Sequence, residues 1–452
     1  KVDILLAKSA PVYIEYTEKK TGKSYRTRTS HADTLHHIDL LLLKANTEYT
    51  YRVIIDNLFK QKSKELTFKT REQSSWLVNH WFNEQHPHDT TALGDGMILV
   101  CFGRLPGYMA LIDNEGEVRW VWQVDDIGVR VASITPRGTL AMLRPFVKDF
   151  IDDYTMTPEQ VQKDEHKKPM RRGSIGFAGG TALAEVSLTG ETMWRVDLNK
   201  MYEEKDYQVI HHDILMDENH HIHTLYRPKK VGEIPVNGKM VTDTLGGDGI
   251  MVIDTLGNVL ETWSAWDVWN VANDPYIDEY RYDRFHMNGL CFDEDGNYLL
   301  SNPIEDQIWK IDRQSGELLW KFGRNGDFEM DTTAYFSFQH SPYITEYGDL
   351  MLFDNGLYNK RSGAKSFKLD EKNMTAETVI NAVLPPDKYT SRMGNAYLLP
   401  NGNLLQTSSK TGSIMVTDKQ GKVLWESVMY YAPYRAIYVP METWDKYFKE
   451  IK

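Results

Sequence analysis

The stretch "YFSFQHSPYITEYGDLMLFDNG" (335–356) places one histidine, His340, just ahead of a run that alternates apolar and polar like a strand entering a sheet. Near neutral pH an imidazole can attack an electrophile through its bare nitrogen, carry a proton, or bind a metal. Which of these applies depends on its company. The sequence offers His286 and Asn288 in "HMNGL", His211 and His212 in "HHD", and Arg392 in "RMGNA".

A metal centre is the first competitor, and the spacings argue against it. There is no H-E-x-x-H, no facial triad and no three-histidine pattern, and carboxylates near these residues are few apart from Asp213. The "HHIH" run (220–223) lies in and beyond a turn, where solvated histidines explain it. No metal and no cofactor is expected. "GSIGFAGG" lacks the Lys-Ser/Thr of a phosphate-binding loop and reads as a flexible segment, and no G-x-S-x-G, S-x-x-K or C-x-x-C occurs. Cys101 and Cys291 sit far apart in apolar runs and read as two buried thiols.

The elements that hold these residues show as internal repeats. "YMALIDNEGEVRWVWQ", "LAEVSLTGETMWRVD", "IMVIDTLGNVLETWS", "IWKIDRQSGELLWKF", "SFKLDEKNMTAETVI" and "IMVTDKQGKVLWESV" share one grammar of strand, polar turn and second strand. A second piece precedes most of them, as in "ITPRGTLAMLRP", "CFDEDGNYLLSNP" and "LLPNGNLLQTSS". Two hairpins make a four-stranded unit, and the repetition predicts an all-β fold, a six-bladed β-propeller over residues 96–440. Taking Gly138, Gly296, Gly348 and Gly402 as equivalent turn glycines brings His286, Asn288, His340 and Arg392 to the inner-strand entrances, with "HHD" joining at one residue of slack.

Residues 1–72 alternate at period two without the blade grammar, and predict a small β-sandwich resembling a fibronectin type III domain around "LKANTEYTYRV". Residues 73–95 read as a linker. Two insertions, 146–172 with a helix start at Thr157-Pro158, and the aromatic-rich 264–285, are expected to cap one channel mouth. Across all 452 residues the net charge of −12 is dispersed and Lys/Arg never cluster beyond short runs such as "KKPMRR", which argues against nucleic acid as a partner. No apolar run reaches the ~18 residues of a transmembrane span, and no leader is visible at the start of the sequence.

"FHMNGLCFDEDGNYLLS", "FSFQHSPY", "LMLFDNG" and "HHDILMDENHHI" together resemble the bacterial arylsulfate sulfotransferases, over roughly residues 95–430. The resemblance implies an N-terminal sandwich-like domain and a six-bladed propeller. It also implies sulfuryl transfer from an aryl sulfate to a phenol without the nucleotide donor PAPS, through a sulfated histidine, in the periplasm or at the cell surface, with a lipid anchor left open. Matched by motif, His340 is the nucleophile, His286 and Asn288 form the H-x-N pair, and His212 is the remaining channel histidine with His211 in reserve. One departure stands out. The family follows the H-x-N strand with Ser-Ser-Arg, whereas this chain has "LLSNPIEDQ", with Pro303 at the arginine position.

Positive charge would then come from Arg392, Arg227 or Arg144, and Trp266, Trp269, Tyr276 and Phe285 are candidates to stack on the aryl ring, with packing in a blade core the favoured alternative for each. The missing arginine keeps two other readings open: a related hydrolase, or a non-catalytic propeller serving as a binding or scaffold subunit of a cell-envelope assembly. The partners expected are the aryl sulfate and the phenol, with a homodimer or an envelope complex left open.

Overall fold

The computed structural model describes residues 1–78, 81–82, 87–102, 108–123, 128–145, 180–198, 210–429 and 433–451. The insertion expected at 146–172, with its helix start, and most of "GSIGFAGG" lie outside the described residues. The fold is all-β, with helix among the described residues limited to single turns such as Ser75–Val78 and Ile277–Tyr280.

Local chemistry explains why the repeated hairpins form. In Tyr108–Ile112 and Val118–Trp122 the turn is tied by Asp113, whose Oδ1 accepts the N–H groups of Glu115 and Glu117, while Gly116 takes φ 75°. The same device recurs at Asp254 with Gly257 and at Asp418 with Gly421. A carboxylate that satisfies two turn amides, plus a glycine that accepts a left-handed backbone, specifies the hairpin from within its own few residues.

Six sheets carry these hairpins, each built on four antiparallel strands; the fifth adds Glu329–Met330, paired parallel at its edge, and the sixth adds Trp81–Phe82. The first holds Gly96–Phe102, Tyr108–Ile112 and Val118–Trp122, and its fourth member is Ala436–Pro440 from the far end of the chain. The second runs from Val131–Ile134 to Thr192–Asp197, the third from Ile210–Met216 to Val259–Ser264, and the fourth from Gly289–Phe292 to Leu318–Gly323. The fifth opens on His340–Ile344 and the sixth on Asn395–Leu398. The opening strands of the second to sixth sheets, and then Ala436–Pro440, lie against one another in order.

Apolar layers fill the gaps. Leu99 and Leu111 meet Leu140 and Met142; Leu143 and Leu183 meet Ile214 and Met251; Leu225 and Ile250 meet Leu290 and Trp309. Leu299 and Ile308 then meet Leu352 and Phe367, Met351 and Phe353 meet Leu404 and Met415, and Leu405 and Ile414 return to Ile98 and Val100. The sheets therefore pack in a closed cycle. Cys101 and Cys291 are buried, free thiols within these layers.

The third sheet carries a protruding hairpin, Lys229–Val236 with Lys239–Gly246, turned at Asn237-Gly238 with both residues at positive φ. Its Asn-Gly signal is visible in the sequence but falls outside the blade grammar. The hairpin holds the 265–285 insertion through Gly246 N–H to Arg281 O, Arg284 N–H to Gly246 O, and Lys230 Nζ to Trp266 O.

At the N-terminus a five-stranded sheet, ordered Phe448–Ile451, Ser24–Thr27, Val12–Glu18, Glu48–Ile55 and Leu66–Lys69, packs through Val12, Ile14, Tyr16 and Tyr49 against Ile4 and Ile38 of a two-stranded sheet. Tyr49 Oη accepts the Lys44 N–H at 2.9 Å, the corner contact foreshadowed by "LKANTEYTYRV". The C-terminal strand thus returns to the start of the chain.

Arg119 joins this unit to the first sheet. Its guanidinium donates to the Leu42 carbonyl and to Asp113 Oδ2 at 2.8 Å, in a largely buried setting. Arg119→Ala strands the Asp113 carboxylate and should cost about 3 kcal/mol, read as an earlier urea midpoint. Glu115→Ala, which removes only the half-exposed pair with Lys44, should cost under about 1 kcal/mol.

Candidate active site

Chemistry-bearing residues gather where successive opening strands begin. His211 and His212 lie in the opening strand of the third sheet, Asn288 directly precedes that of the fourth, His340 starts that of the fifth, Met393 and Gly394 precede that of the sixth, and Arg435 precedes Ala436–Pro440. The backbone is unusual here. His212, His286, Phe338, Ser341 and Met393 all take positive φ, between 50° and 60°. Pairing register also shifts between His211 and Ile214 and between His340 and Tyr343, so the ring-bearing residues are turned out of the ladder.

His340 is 2% exposed. Its Nδ1 lies 2.8 Å from Asn355 Oδ1 and 3.1 Å from the Phe338 carbonyl, both acceptors, because the Asn355 amide donates at 2.9 Å to the Thr390 and Met393 carbonyls. The proton therefore sits on Nδ1. Nε2 keeps its lone pair and accepts the Met393 N–H at 3.2 Å. Burial, helped by the charges of His286 and Arg435, pulls the His340 pKa down to about 3, against the opposing pull of Asn355, so the ring is neutral at ordinary pH.

The other histidines form a chain beside it. His211 Nδ1 lies 2.7 Å from His212 Nδ1, and His211 Nε2 lies 3.1 Å from Asp248 Oδ1. The His212 ring meets His286 edge-on at 5.3 Å, and Phe338 lies between His286 and His340, with ring centres 6.1 and 6.4 Å away. Burial lowers the pKa of both His211 and His212, the latter strongly. His286 goes the other way: burial opposes its charge, but the Asp283 carboxylate, with Oδ2 at 2.6 Å from Nδ1, raises its pKa.

Two cations face this cluster, Arg435 buried and Arg227 partly buried. Arg227 ion-pairs with Asp283 Oδ1 at 2.8 Å, and Arg435 reaches Asp213 Oδ2 at 2.9 Å and the Asn288 carbonyl at 2.9 Å. Asn288 is fully buried and gives one amide hydrogen to the Gln339 carbonyl at 2.9 Å, bracing the strand that carries His340. Asn288 Oδ1, both polar side-chain atoms of Asn302 and Arg435 Nε are buried without a hydrogen-bond partner, unspent capacity next to the histidines.

Residues 83–424 match the family model of the arylsulfotransferases (ASST). The chain belongs to that family. It is a sulfotransferase family acting on small molecules, and its match covers strands of all six sheets but stops short of most of Val423–Met429 and of Ala436–Pro440. No curated protein matches the chain. Among solved structures the chain is similar to a Bacteroides caccae protein of unknown function, at 11% identity over 76% of this chain and 99% of that one, with TM-score 0.42. It is also similar to the β-propeller domain of Myceliophteria thermophila Cps50 (Swd1), at 10% identity over 72% and 81%, with TM-score 0.41, and to a putative 6-phosphogluconolactonase from Bacteroides fragilis, at 10% over 95% and 98%, with TM-score 0.38. Likenesses this distant carry no argument about chemistry.

Within this family member the structure brings His340, His286, His212, His211, Asn288 and Arg227 together. Arg392 instead lies exposed in the segment that delivers Met393 to His340, and Arg144 is buried 5.6 Å over the Trp122 ring. Repeat alignment missed Arg435, because its strand closes the first sheet from the far end of the chain and was never set beside the other opening strands. Asp283, Asp248 and Asn355 were missed because a carboxylate or amide near a histidine in space leaves no spacing signal.

Core packing accounts for three of the four candidate aromatics of the 264–285 insertion. Trp266 and Phe285 are buried, and Trp269 stacks on Trp309 at 5.5 Å under the Arg284 guanidinium, so these rings fill the layer beside the fourth sheet; of the four, Tyr276 alone is exposed. The aromatic rings that meet the cluster are Phe338, 6.1 Å from His286, and Tyr434, 6.1 Å from His212. His223 of "HHIH" is likewise not solvated: it is fully buried, bonded to Tyr298 Oη at 2.8 Å and Asp217 Oδ2 at 3.2 Å.

Histidines with lowered pKa bind fewer protons folded than unfolded, so the stability they contribute is present above about pH 6.5 and is lost as pH falls below it. His286, with a raised pKa, has the opposite sign. His340→Gln should therefore flatten the decline of thermal stability between pH 6.5 and 5, by up to about 1.4 kcal/mol per pH unit relative to the parent.

Proposed function

We propose that the protein is a PAPS-independent aryl sulfotransferase in which the six sheets are the blades of one propeller, the N-terminal sheets form a β-sandwich beside it, and His340 carries the sulfuryl group. The observation that carries this reading is the state of His340: neutral, shielded from water, its proton held on Nδ1 by Asn355 and Phe338 O, and its lone pair on Nε2. That is the form in which an imidazole attacks sulfur.

Sulfuryl transfer should resemble phosphoryl transfer, with a loose transition state and charge on peripheral oxygens, so positioning and electrostatics dominate. Nε2 of His340 attacks the sulfur of the aryl sulfate. The S–N bond forms as the S–O bond breaks, and the electron pair leaves with the phenolate oxygen. In the second half a phenol oxygen attacks the same sulfur, loses its proton, and returns the electron pair to Nε2.

The Met393 N–H, which rests on that lone pair, is freed when the S–N bond forms and is placed to donate to a sulfuryl oxygen. Arg227 and Arg435 supply the positive charge that Pro303 does not, Asn288 contributes its remaining amide hydrogen, and Arg392 meets the incoming anion at the rim. His212 and His286 are the proton carriers, with His211 orienting His212. We also place the protein outside the cytoplasm, in the periplasm or at the cell surface, in keeping with the family resemblance.

Incubation with p-nitrophenyl sulfate and a phenol should release nitrophenol in an acceptor-dependent, ping-pong manner, and His340→Ala should lower the rate at least about 10³-fold. Release without acceptor would indicate a hydrolase. No release with any acceptor would defeat the reading and favour a binding role.

A further inference from the structure

Two carboxylates lie under the histidine cluster, and they hold their partners in different charge states. Asp248 Oδ1 and His211 Nε2 lie 3.1 Å apart in a charge contact without hydrogen-bond geometry. His211 Nδ1 and His212 Nδ1 lie 2.7 Å apart, so one of the two carries a proton and the other is bare. This chain holds both rings neutral.

Asp283 makes a different arrangement. One oxygen lies 2.6 Å from His286 Nδ1 and the other 2.8 Å from the Arg227 guanidinium, with both side chains largely out of water. Arginine keeps its charge, so an aspartate shared between Arg227 and a protonated His286 leaves the trio with one net positive charge, suited to an anionic substrate. The second nitrogen of His286, Nε2, then carries a proton and is not committed to any hydrogen bond that the structure shows. Its ring is part of the Phe338 stack that continues to His340.

We propose that Asp283 is the positioning residue that keeps His286 charged and aimed, and that this makes His286, rather than His212, the proton donor to the departing phenolate. The inference rests on the sulfotransferase reading and divides roles within that site. As the S–O bond of the donor breaks, the phenolate oxygen takes the Nε2 proton of His286, leaving a neutral ring still tethered through Nδ1–H to Asp283. In the second half-reaction the acceptor phenol returns a proton to Nε2 as its oxygen bonds to sulfur, which restores the starting state.

The charged and titratable groups around His286 come from several elements. Asp283 lies on its own segment, Arg227 follows the second strand of the third sheet, His211 and His212 lie on that sheet's opening strand, Asp248 precedes its third strand, and His340 lies beyond Phe338. Burial and the Arg227 charge disfavour a proton on His286. Asp283 and, from farther away, Asp248 favour it, and Asp283 touches it directly.

The test uses the full chain with labelled histidine side chains, the His286 signals being assigned through His286→Gln. Asp283→Asn should move the His286 titration to lower pH, whereas Arg227→Gln, which removes a cation and keeps the aspartate, should move it to higher pH. Shifts in opposite directions are not produced by a general loosening of the site, and an unmoved titration in both variants would overturn the proposal. With a fixed acceptor and a series of aryl sulfate donors, Asp283→Asn should lower turnover about 10²-fold for 4-methylphenyl sulfate but no more than a few-fold for p-nitrophenyl sulfate, whose phenolate leaves without help. Equal losses across the series would also overturn it. If the parent protein turned over no donor, the sulfotransferase reading would fail by itself, while the titrations would still decide whether Asp283 holds the proton on His286.

Discussion

The ion pair between Arg435 and Asp213 is the contact on which the site depends. It is buried, it spans 2.9 Å, and its members come from the strand that closes the first sheet and from the opening strand of the third. Arg435 also donates to the Asn288 carbonyl, and Asp213 accepts the Leu290 N–H, so the fourth sheet is held by the same two side chains. Removing either partner would leave a buried charge uncompensated, at a cost of about 3–5 kcal/mol. What the pair secures is the convergence of three sheets on one point.

Around that point the backbone departs from ordinary sheet geometry. Five non-glycine residues at positive φ, at about 1–3 kcal/mol each, are too expensive for a simple structural end. They are sustained by the apolar layers on every side and by side chains that grip the irregular backbone: Asp306 takes the Phe338 N–H, Ser341 Oγ donates to the Gly394 carbonyl, and Asn355 takes hold of the 390–393 segment. Positive φ also occurs at turns elsewhere, such as Asn46 and Asn237, but here five such residues meet at the ends of neighbouring strands. The same dryness that makes His340 neutral would make any unpaired charge costly, which accounts for the aspartate partners of His211, His286, Arg227 and Arg435.

Family membership and geometry meet over Pro303. The family's motif has an arginine at that position on the second strand of the fourth sheet; here Pro303 is buried at the end of that strand. Positive charge reaches the cluster from the third sheet through Arg227 and from the closing strand through Arg435. A ring of sheets permits this exchange, since every opening strand delivers its first residues to the same place regardless of its position in the chain.

The hairpin grammar was legible because a short polar residue, most often an aspartate, and a residue at positive φ, most often a glycine, settle each turn within a few residues, and variants of that local code recur through the six hairpins. The alternating strands, the Tyr49 corner and the histidines at strand entrances were legible for the same reason, being set by pattern and register. The closing strand Ala436–Pro440 and the Asn237-Gly238 hairpin were not, because they depend on which faces the other sheets leave uncovered. Sequence alone determined that imidazoles would cluster, through a periodic register that places them at equivalent phases. Tertiary structure decided their charge and roles, because protonation is set by partners at hydrogen-bonding distance, and Asn355, Asp283, Asp248 and Arg435 reach that distance only when the cycle of sheets is closed.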